Sequence, residues 1–500
     1  MSKLIYTQEQ LDVINTIMQV PQIPQININA CAGSAKSTTI HAAVHKLLER
    51  NPSTKIKVLV YGKANAEDAK KSLPKQVDIS TVHAMAYQYT VEPMGLKLPI
   101  RDHILARDLP SNLAIDHDNL HAILELAELF LSSDFTSVHN LVGTNLLEYT
   151  EQTIQDTLTV LNAMARGRIN ITHNFYLKLF HIEVLADRIV VDPVDVLILE
   201  EAQDLTQIMI DITDKYITSQ RIFIGDSYQS ILQFAGSIDV LGRNAASSTN
   251  LQLTKSFRVN VEDAKVIQHF MREQIDESFV FEGFDKPEPE VVTKAYITRT
   301  NAALIDKMIE LERTGTPFKL STKTKLAQLF NLPLTLATLK PGGTQLKQEM
   351  QYLQDTADHY YGSTQLMTEY PTLFGYLRYK YATNGTIIQA LDLVSKHGAK
   401  VLFGIYKSAK VHMKAKCDYV VQTAHTSKGS TSTEVELDPS MDKAITEVLK
   451  KPVNERTADD IAEIYLFYVS ISRHTHKLTG SDVFEYIRQQ LKDELWQQVN

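Results

Sequence analysis

A run of small residues before a lysine and a serine could bind phosphate groups. It covers residues 30–38 (ACAGSAKST). Small side chains let backbone N–H groups turn towards an anion at the positive end of the following helix. Lys36 would then reach the β- and γ-phosphates, and Ser37 would offer a hydroxyl to Mg²⁺. Ala30 and Ala35 stand where G-x-x-x-x-G-K-[ST] has glycine, so the alternative is a plain strand–helix turn with a solvated lysine.

Two adjacent carboxylates, Glu200 and Glu201, follow the apolar run at residues 196–199 (VLIL). Hydrolysis of a nucleoside triphosphate needs one carboxylate for Mg²⁺ and another to orient or deprotonate the attacking water. Neighbouring residues at a strand end can divide these roles because their side chains diverge. We therefore predict that Glu200 and Glu201 divide the metal and the water between them. The alternative is an ordinary polar strand end.

A third polar turn follows another short apolar run, at residues 224–230 (IGDSYQS). A glutamine in such a turn could sense the γ-phosphate, and Gln229 is the candidate. The alternative is an ordinary Gly-Asp turn.

These segments need parallel strands to bring them together. Short apolar runs alternate with longer helical patterns, which is typical of parallel α/β sheets. The predicted helix after the phosphate loop covers residues 38–49. Predicted strands lie at residues 25–30, 55–61, 195–199, 221–224, 295–300 and 418–423.

Two long stretches, residues 90–189 and 316–404, have mostly helical patterns. We interpret each as an insertion into one α/β core. The predicted domains are a first core at 1–89 plus 190–255, its insert at 90–189, a second core at 256–315 plus 405–500, and its insert at 316–404.

Composition restricts the class of protein. The chain has 500 residues, 44% hydrophobic and 22% charged, with a net charge of −8. That balance argues against a polybasic coat but allows one local groove for a nucleic-acid strand. Two cysteines, Cys31 and Cys417, cannot form a disulfide framework or a zinc site. No apolar run approaches the roughly 18 residues of a membrane span, and the start lacks a signal peptide. We expect a soluble, cytoplasmic protein.

Taken in order, nine segments resemble the superfamily 1 helicases of the UvrD/Rep type, and particularly their shorter members that are like the F-box DNA helicase. They reach from residue 6 to residue 473 and cover both predicted cores. The segments are 6–10 (YTQEQ), 30–37, 61–69 (YGKANAEDA), 81–83 (TVH), 200–204 (EEAQD), 225–236 (GDSYQSILQFAG), 256–258 (SFR), 423–429 (TAHTSKG) and 468–473 (YVSISR).

The resemblance implies two RecA-like parallel-sheet lobes of a P-loop NTPase, with ATP and Mg²⁺ in the cleft. It also implies an ATP-dependent DNA helicase or translocase that moves 3′ to 5′ as a monomer, on single-stranded DNA or a tailed or forked duplex. The catalytic residues would be Lys36, Glu201, Gln229, Arg258 and Arg473. The other nucleotide contacts would be Gln10, which reads the adenine, Ala30, Cys31, Ala32, Gly33, Ser34, Ala35, Ser37, Thr38 and Phe257, with the metal on Ser37 and Glu200. The DNA contacts would be Tyr61, Lys63, His83, Phe234, Thr423, His425 and Lys428.

The sequence departs from the family pattern at several points. Glu200 replaces an aspartate, Ala235 replaces an arginine, and Ser430 and Thr431 replace Leu-Glu. Ala35, Glu200 and Thr431 motivate an alternative, namely a nucleic-acid-binding ATPase switch or a translocase that does not separate strands. A fused nuclease is disfavoured because little chain follows Arg473. The sequence does not identify replication or repair partners.

Overall fold

The chain folds into two compact units, Met1–Lys255 and Ser256–Asn500. A computed structural model describes residues 5–95, 99–104, 109–143, 149–232, 236–343 and 350–499. Within these ranges, no helix combines the length and the apolar character that crossing a bilayer requires.

The first unit is built on a six-stranded sheet with the order β3-β2-β6-β7-β1-β8, in which every pair of neighbours is parallel. A two-stranded sheet, β4-β5, lies in the insert. The strands are β1 Gln25–Ala30, β2 Ile56–Leu59, β3 Asp78–Ser80, β4 Ile100–Arg101, β5 Ile171–Thr172, β6 Val194–Glu200, β7 Thr218–Gly225 and β8 Thr249–Leu253. The helices are α1 Gln8–Ile17, α2 Lys36–Arg50, α3 Lys63–Ser72, α4 Val82–Met94, α5 Leu120–Ser132, α6 Val138–Val142, α7 Glu151–Ala165, α8 His173–Leu185, α9 Gln207–Asp214 and α10 Val240–Arg243.

The central strands of this sheet are buried on both faces. In β6, Val196 and Ile198 join a core that includes apolar residues of α1, α2 and α3. Leu197 and Leu199 point the other way and join a core with α4, α5, α7 and α8. Side chains alternate between the two faces of a strand, so one apolar run supplies both cores. Helices α4, α5, α7 and α8 therefore share one core with this face of the sheet.

The carboxyl ends of β6, β7 and β1 lie side by side at one edge of the sheet. β1 leads into the phosphate-loop segment, β6 into the two glutamates, and β7 into the turn that contains Gln229. In open parallel sheets, ligands bind in the crevice outside the carboxyl ends of the strands. The topology therefore brings three separate sequence segments to one place.

The second unit has a five-stranded sheet with the order β10-β11-β9-β12-β13, again with every neighbouring pair parallel. Its longest helix, α17, is broken at Gly398, where φ is 75°. The strands are β9 Lys294–Thr298, β10 Lys319–Leu320, β11 Tyr419–Thr423, β12 Ser432–Leu437 and β13 His474–Thr479. The helices are α11 Val261–Gln274, α12 Asn301–Thr314, α13 Leu326–Leu336, α14 Gln351–Tyr361, α15 Thr364–Glu369, α16 Leu373–Lys380, α17 Gly385–His412, α18 Ala424–Ser427, α19 Pro439–Leu449, α20 Ala458–Ile471 and α21 Asp482–Val499.

These two parallel sheets confirm the predicted α/β class. The strand predicted at residues 55–61 is shorter, covering Ile56–Leu59, and two strands of the first sheet, β3 and β8, were not predicted. Both are edge strands. β8 reads TNLQL and is largely exposed, so it carries no continuous apolar run that would reveal it in the sequence.

A buried carboxylate links three elements of the second unit. Asp263 of α11 contacts His474 Nε2 at 2.8 Å and Arg488 Nη2 at 2.6 Å, and its side chain is 6% exposed. Burial opposes ionisation, but the hydrogen bonds from His474 and Asn260 and the charge of Arg488 hold the pKa of Asp263 at about 2. The ionised carboxylate therefore stabilises the fold at neutral pH.

We expect Asp263→Asn to lower the free energy of unfolding at pH 7 by about 2 to 3 kcal/mol, from the shift of its pKa. Because the folded pKa lies below the unfolded value of about 3.9, the stabilisation is present above pH 4 and is lost as pH falls towards 2. Urea unfolding at pH 7 and between pH 5 and 3 measures this. Asp68→Asn, at an exposed ion pair with Lys71, is the control and should change little. Equal acid sensitivity in Asp263→Asn and in the wild type would contradict the assignment.

Candidate nucleotide-binding site

The loop between β1 and α2 presents backbone at the start of a helix. Gly33 has φ 79° and Ala35 has φ 61°, so the chain turns twice through the left-handed region. Ala35 occupies the N-cap of α2, and its methyl side chain cannot accept a hydrogen bond from the first N–H groups of the helix. The first N–H groups of a helix lack intrahelical partners and favour an anion. The hydroxyl of Ser34 is buried with no hydrogen-bond partner among the described residues, so it too could serve a ligand.

Ala35 adopts a backbone conformation that suits glycine. We expect Ala35→Gly to raise the free energy of unfolding by about 1 kcal/mol, because the left-handed region costs an L-residue about 1–2 kcal/mol. Thermal or urea unfolding measures the change. Ala32→Gly is the matched control: it lies in the same loop without a positive φ, and it should destabilise by up to about 1 kcal/mol. A loss of stability in Ala35→Gly would show that the loop does not strain this residue.

Four of the predicted residues come together at the carboxyl edge of the sheet. Ser37 Oγ donates a hydrogen bond to Glu200 Oε2 over 3.1 Å. Lys36 Nζ lies 3.7 Å from Glu201 Oε1, with their side chains 16% and 26% exposed. His41 Nε2, one turn further along α2, lies 3.8 Å from the other Glu200 oxygen. The strand end and the start of the helix thus share one polar cluster.

The residues of this cluster fit a Mg²⁺ ion. Burial and the neighbouring Glu201 raise the pKa of Glu200 to about 7, against the hydrogen bond from Ser37 and the charge of Lys36. Its Oε1 atom is buried with no hydrogen-bond partner in the described part of the chain. Mg²⁺ is commonly held by one or two carboxylates, a hydroxyl and substrate phosphates. Within the described ranges, no group of three or more His, Cys, Asp or Glu side chains is placed to hold a metal ion by itself.

A chain of hydrogen bonds joins the acidic pair to the turn after β7. Gln203 Nε2 donates to Glu201 Oε2 at 2.6 Å, and Gln203 Oε1 accepts from the backbone N–H of Asp226 at 3.0 Å. Gln229 Nε2 then donates to Asp226 Oδ2 at 2.6 Å. A Cβ at Gly225 would stand 2.2 Å from Gln203 Oε1, so only glycine leaves room for this connection. Gln229 is linked to Glu201 through two intermediates.

Sequence reasoning did not single out Gln203 or Asp226 as functional, although both are buried, at 0% exposure. Their positions inside the segments at 200–204 and 225–236 were the available signal. Their partners, however, come from a neighbouring strand end, which the sequence does not reveal.

Gln10 is fixed in the first turn of α1. Its side-chain oxygen accepts from the backbone N–H of Thr7, and its amide nitrogen donates to Thr39 Oγ1 at 3.0 Å. Thr39 in turn donates to the backbone oxygen of Ala35 at 3.1 Å. The predicted adenine contact is therefore connected to the phosphate loop through one side chain of α2.

In the second unit, the two predicted arginines meet at one residue. Arg258 Nη1 donates to the backbone oxygen of Ser472 at 3.2 Å, and Arg473 Nη2 donates to its hydroxyl at 2.9 Å. Arg473 is 1% exposed and also donates to the backbone oxygen of Val469. Phe257 packs against Phe284, with ring centroids 5.7 Å apart. The motifs at 256–258 and 468–473 thus form one cluster within this unit.

The residues of the first unit that were predicted to contact DNA come directly after β2 and β3 in the chain. Tyr61 is 41% exposed, and Lys63 is exposed at the start of α3 with Glu67 at 4.0 Å. His83 packs edge-on against His173 and Tyr176. Burial, followed by the charge of His173, lowers the pKa of His83 to about 4, so the ring is neutral at pH 7. The prediction at Phe234 lies outside the described residues.

The residues of the second unit that were predicted to contact DNA lie in and beside α18. Thr423 is 8% exposed and caps this helix through Thr426. Burial and the charges of Arg299 and Lys428 lower the pKa of His425 to about 4. Lys428 ends the helix, and its backbone oxygen accepts a hydrogen bond from Lys323 Nζ. The side chains are thus placed after β11, at the carboxyl edge of the second sheet.

Comparisons with known proteins agree with this architecture. A family model described as an AAA domain matches residues 14–235. F-box DNA helicase protein 1 of Schizosaccharomyces pombe (strain 972 / ATCC 24843) is 24% identical over 287 residues, which cover 52% of this chain and 32% of that protein. The matched region thus spans about a third of the length of that relative.

The two parallel sheets, with the phosphate-loop segment beside an acidic strand end in the first unit, form the α/β fold expected of a P-loop NTPase. Within that class, the AAA-domain match to the first unit and the similarity to F-box DNA helicase protein 1 agree with the resemblance of the ordered motifs to the superfamily 1 helicases of the UvrD/Rep type.

Proposed function

We propose that this chain is an ATP-dependent DNA helicase or translocase, which couples ATP hydrolysis to stepping along single-stranded DNA in the 3′ to 5′ direction. The observation that carries the proposal is the cluster of Lys36, Ser37, Glu200 and Glu201 beyond the carboxyl ends of β1 and β6, the two strands on either side of β7. A cation for the phosphates, a hydroxyl and carboxylate for the metal, and a second carboxylate for water are the parts that phosphoryl transfer to water requires.

In this proposal each side chain has one task. Lys36 and the free N–H groups at the start of α2 bind the phosphates, and Ser37 and Glu200 hold Mg²⁺. The ion, when bound, neutralises charge on the phosphate oxygens. Glu201 orients the attacking water and accepts its proton, while Gln203, Asp226 and Gln229 keep that carboxylate in place.

The remaining assignments concern charge and the DNA strand. Arg258 and Arg473 would stabilise the charge that develops on the γ-phosphate, since a guanidinium matches phosphate geometry. Tyr61, His83 and His425 offer ring faces for bases, and stacking of this kind contributes about 1–3 kcal/mol per base without sequence preference. Both histidines are neutral at pH 7, which suits stacking rather than pairing with phosphate.

The rate of ATP hydrolysis with and without single-stranded DNA tests the hypothesis that hydrolysis is coupled to movement along DNA. We expect the DNA to stimulate hydrolysis, because stepping links the two activities. A rate of hydrolysis that does not change when DNA is added would contradict the proposed helicase or translocase activity.

A strand-displacement assay separates the proposal from its alternative, a nucleic-acid-dependent ATPase that does not unwind. The departures at Ala35, Glu200 and Thr431 motivate that alternative. Displacement on a 3′-tailed duplex, but not on a 5′-tailed one, supports a 3′ to 5′ helicase. DNA-stimulated hydrolysis without displacement supports the switch or translocase.

A further inference from the structure

We propose that Glu9 is a positioning residue for the nucleotide site, which fastens the segment carrying Phe257 and Arg258 to the helix carrying Gln10. This inference rests on the proposed function, because it assigns Glu9 a task in the same ATP hydrolysis. Glu9 lies in the motif at residues 6–10, where only Gln10 was given a role, and its partner Thr254 lies outside all nine motifs.

All three polar groups of Thr254 are held by elements of the nucleotide site. Glu9 accepts two hydrogen bonds from it, with Oε2 at 2.8 Å from the backbone nitrogen and Oε1 at 2.7 Å from the hydroxyl. The thiol of Cys31, in the phosphate loop, donates to its backbone oxygen at 3.3 Å. Hydrogen bonds to an ionised carboxylate are shorter and stronger than neutral ones. Thr254 is therefore clamped from α1 and from the phosphate loop together.

Glu9 and Gln10 are neighbours in the first turn of α1, but they reach different places. Gln10 bonds to Thr39, which bonds to the backbone of Ala35 in the phosphate loop. Glu9 bonds to Thr254, the second-last residue of the first unit. A ligand that moves this turn of the helix would therefore move Thr254 as well.

The sequence after Thr254 makes this connection relevant to catalysis. Phe257 and Arg258 follow within four residues, a length of chain that spans at most about 14 Å. The position of Thr254 thus limits where the ring and the guanidinium can lie.

Packing of the helix does not require Glu9. Val13, Ile14 and Ile17 of α1 are each 0% exposed and anchor the helix in the core of the first unit. Gln10 and Thr7 cap it in a reciprocal pair of hydrogen bonds. Since apolar burial and the cap already hold α1, the carboxylate of Glu9 is free to serve the segment beyond β8.

Glu9→Ala is expected to lower the kcat of DNA-stimulated ATP hydrolysis about tenfold, the effect of losing hydrogen bonds to a charged group. The KM for ATP and the affinity for a non-hydrolysable ATP analogue should stay within about twofold, because Glu9 contacts no phosphate in this scheme. Steady-state kinetics with saturating single-stranded DNA and fluorescence titration of the analogue measure the two effects separately.

Two further variants distinguish positioning from simple destabilisation. In Glu9→Gln, the amide oxygen can accept from the Thr254 N–H and the amide nitrogen can donate to its hydroxyl, so kcat should return to within about twofold of the wild type. Combining Glu9→Ala with Thr254→Val should be no worse than Glu9→Ala alone, since both remove one connection. Asp12→Ala is the matched control, because it removes the Gln8–Asp12 hydrogen bond from the same helix without touching Thr254.

A kcat in Glu9→Ala within twofold of the wild type would overturn the positioning role, and so would an equal loss of kcat in Asp12→Ala. So would a loss of analogue affinity as large as the loss of kcat. These results differ from a failure of the proposed function, in which the wild-type chain itself would hydrolyse no ATP.

Discussion

Lys36→Ala is expected to reduce DNA-stimulated ATP hydrolysis by about a hundred- to a thousandfold, the usual effect of removing one electrostatic contact to transition-state charge. Lys36 begins α2, and its ammonium lies beside Glu201 at the end of β6. Charge on the β- and γ-phosphate oxygens grows during transfer, and the helix N-terminus alone supplies only partial charge to balance it. Initial rates of phosphate release at saturating DNA measure the change.

The fold should tolerate this substitution. The contact between Lys36 and Glu201 spans 3.7 Å and is partly exposed, so its loss costs no more than about 1 kcal/mol of stability. Lys46→Ala, at an exposed position of the same helix, is the matched control and should keep wild-type activity. Hydrolysis at the wild-type rate in Lys36→Ala would mean that the phosphates bind elsewhere.

The positions of Lys36, Ser37, Glu200 and Glu201 could be predicted because two local patterns coincide. Small residues between a strand and a helix mark the phosphate loop, and an apolar run ending in carboxylates marks a buried parallel strand. Because parallel strands place their carboxyl ends at one edge of the sheet, the two patterns imply a shared site from the sequence alone. The sheet order β6-β7-β1 then sets the distances.

Other parts of the site depend on contacts between residues far apart in sequence. Gln203 and Asp226 are 23 residues apart, and Glu9 and Thr254 are separated by 245. Nothing in the composition around these residues distinguishes a buried hydrogen-bonded polar group from an exposed one, and their burial is decided by which strands become neighbours. Ala35, in contrast, could be predicted from the sequence, because it stands where the phosphate-loop pattern has glycine. The structure places this alanine in the left-handed region, as the pattern implies.

Glu201→Gln is expected to lower kcat by about a hundred- to a thousandfold, within the range that general-base catalysis contributes. The affinity for a non-hydrolysable ATP analogue should stay within about threefold, because an interaction used mainly in the transition state affects kcat more than binding. The amide oxygen can still accept the hydrogen bond from Gln203, so the variant keeps the shape of the site and loses only the basic oxygen.

The neighbouring carboxylate makes the test specific. Glu200→Gln changes the other acidic residue, whose oxygens face Ser37 and His41, and it should raise the Mg²⁺ concentration needed for half-maximal rate. Titrating Mg²⁺ against rate for both variants separates the two roles, because a metal ligand shifts the midpoint while a base lowers the plateau. If Glu201→Gln shifted the midpoint and Glu200→Gln lowered only the plateau, the two glutamates would have exchanged tasks. We do not expect this exchange. A Mg²⁺ ion held by Glu201 would lie close to the ammonium of Lys36, which is 3.7 Å from that carboxylate and would repel the ion.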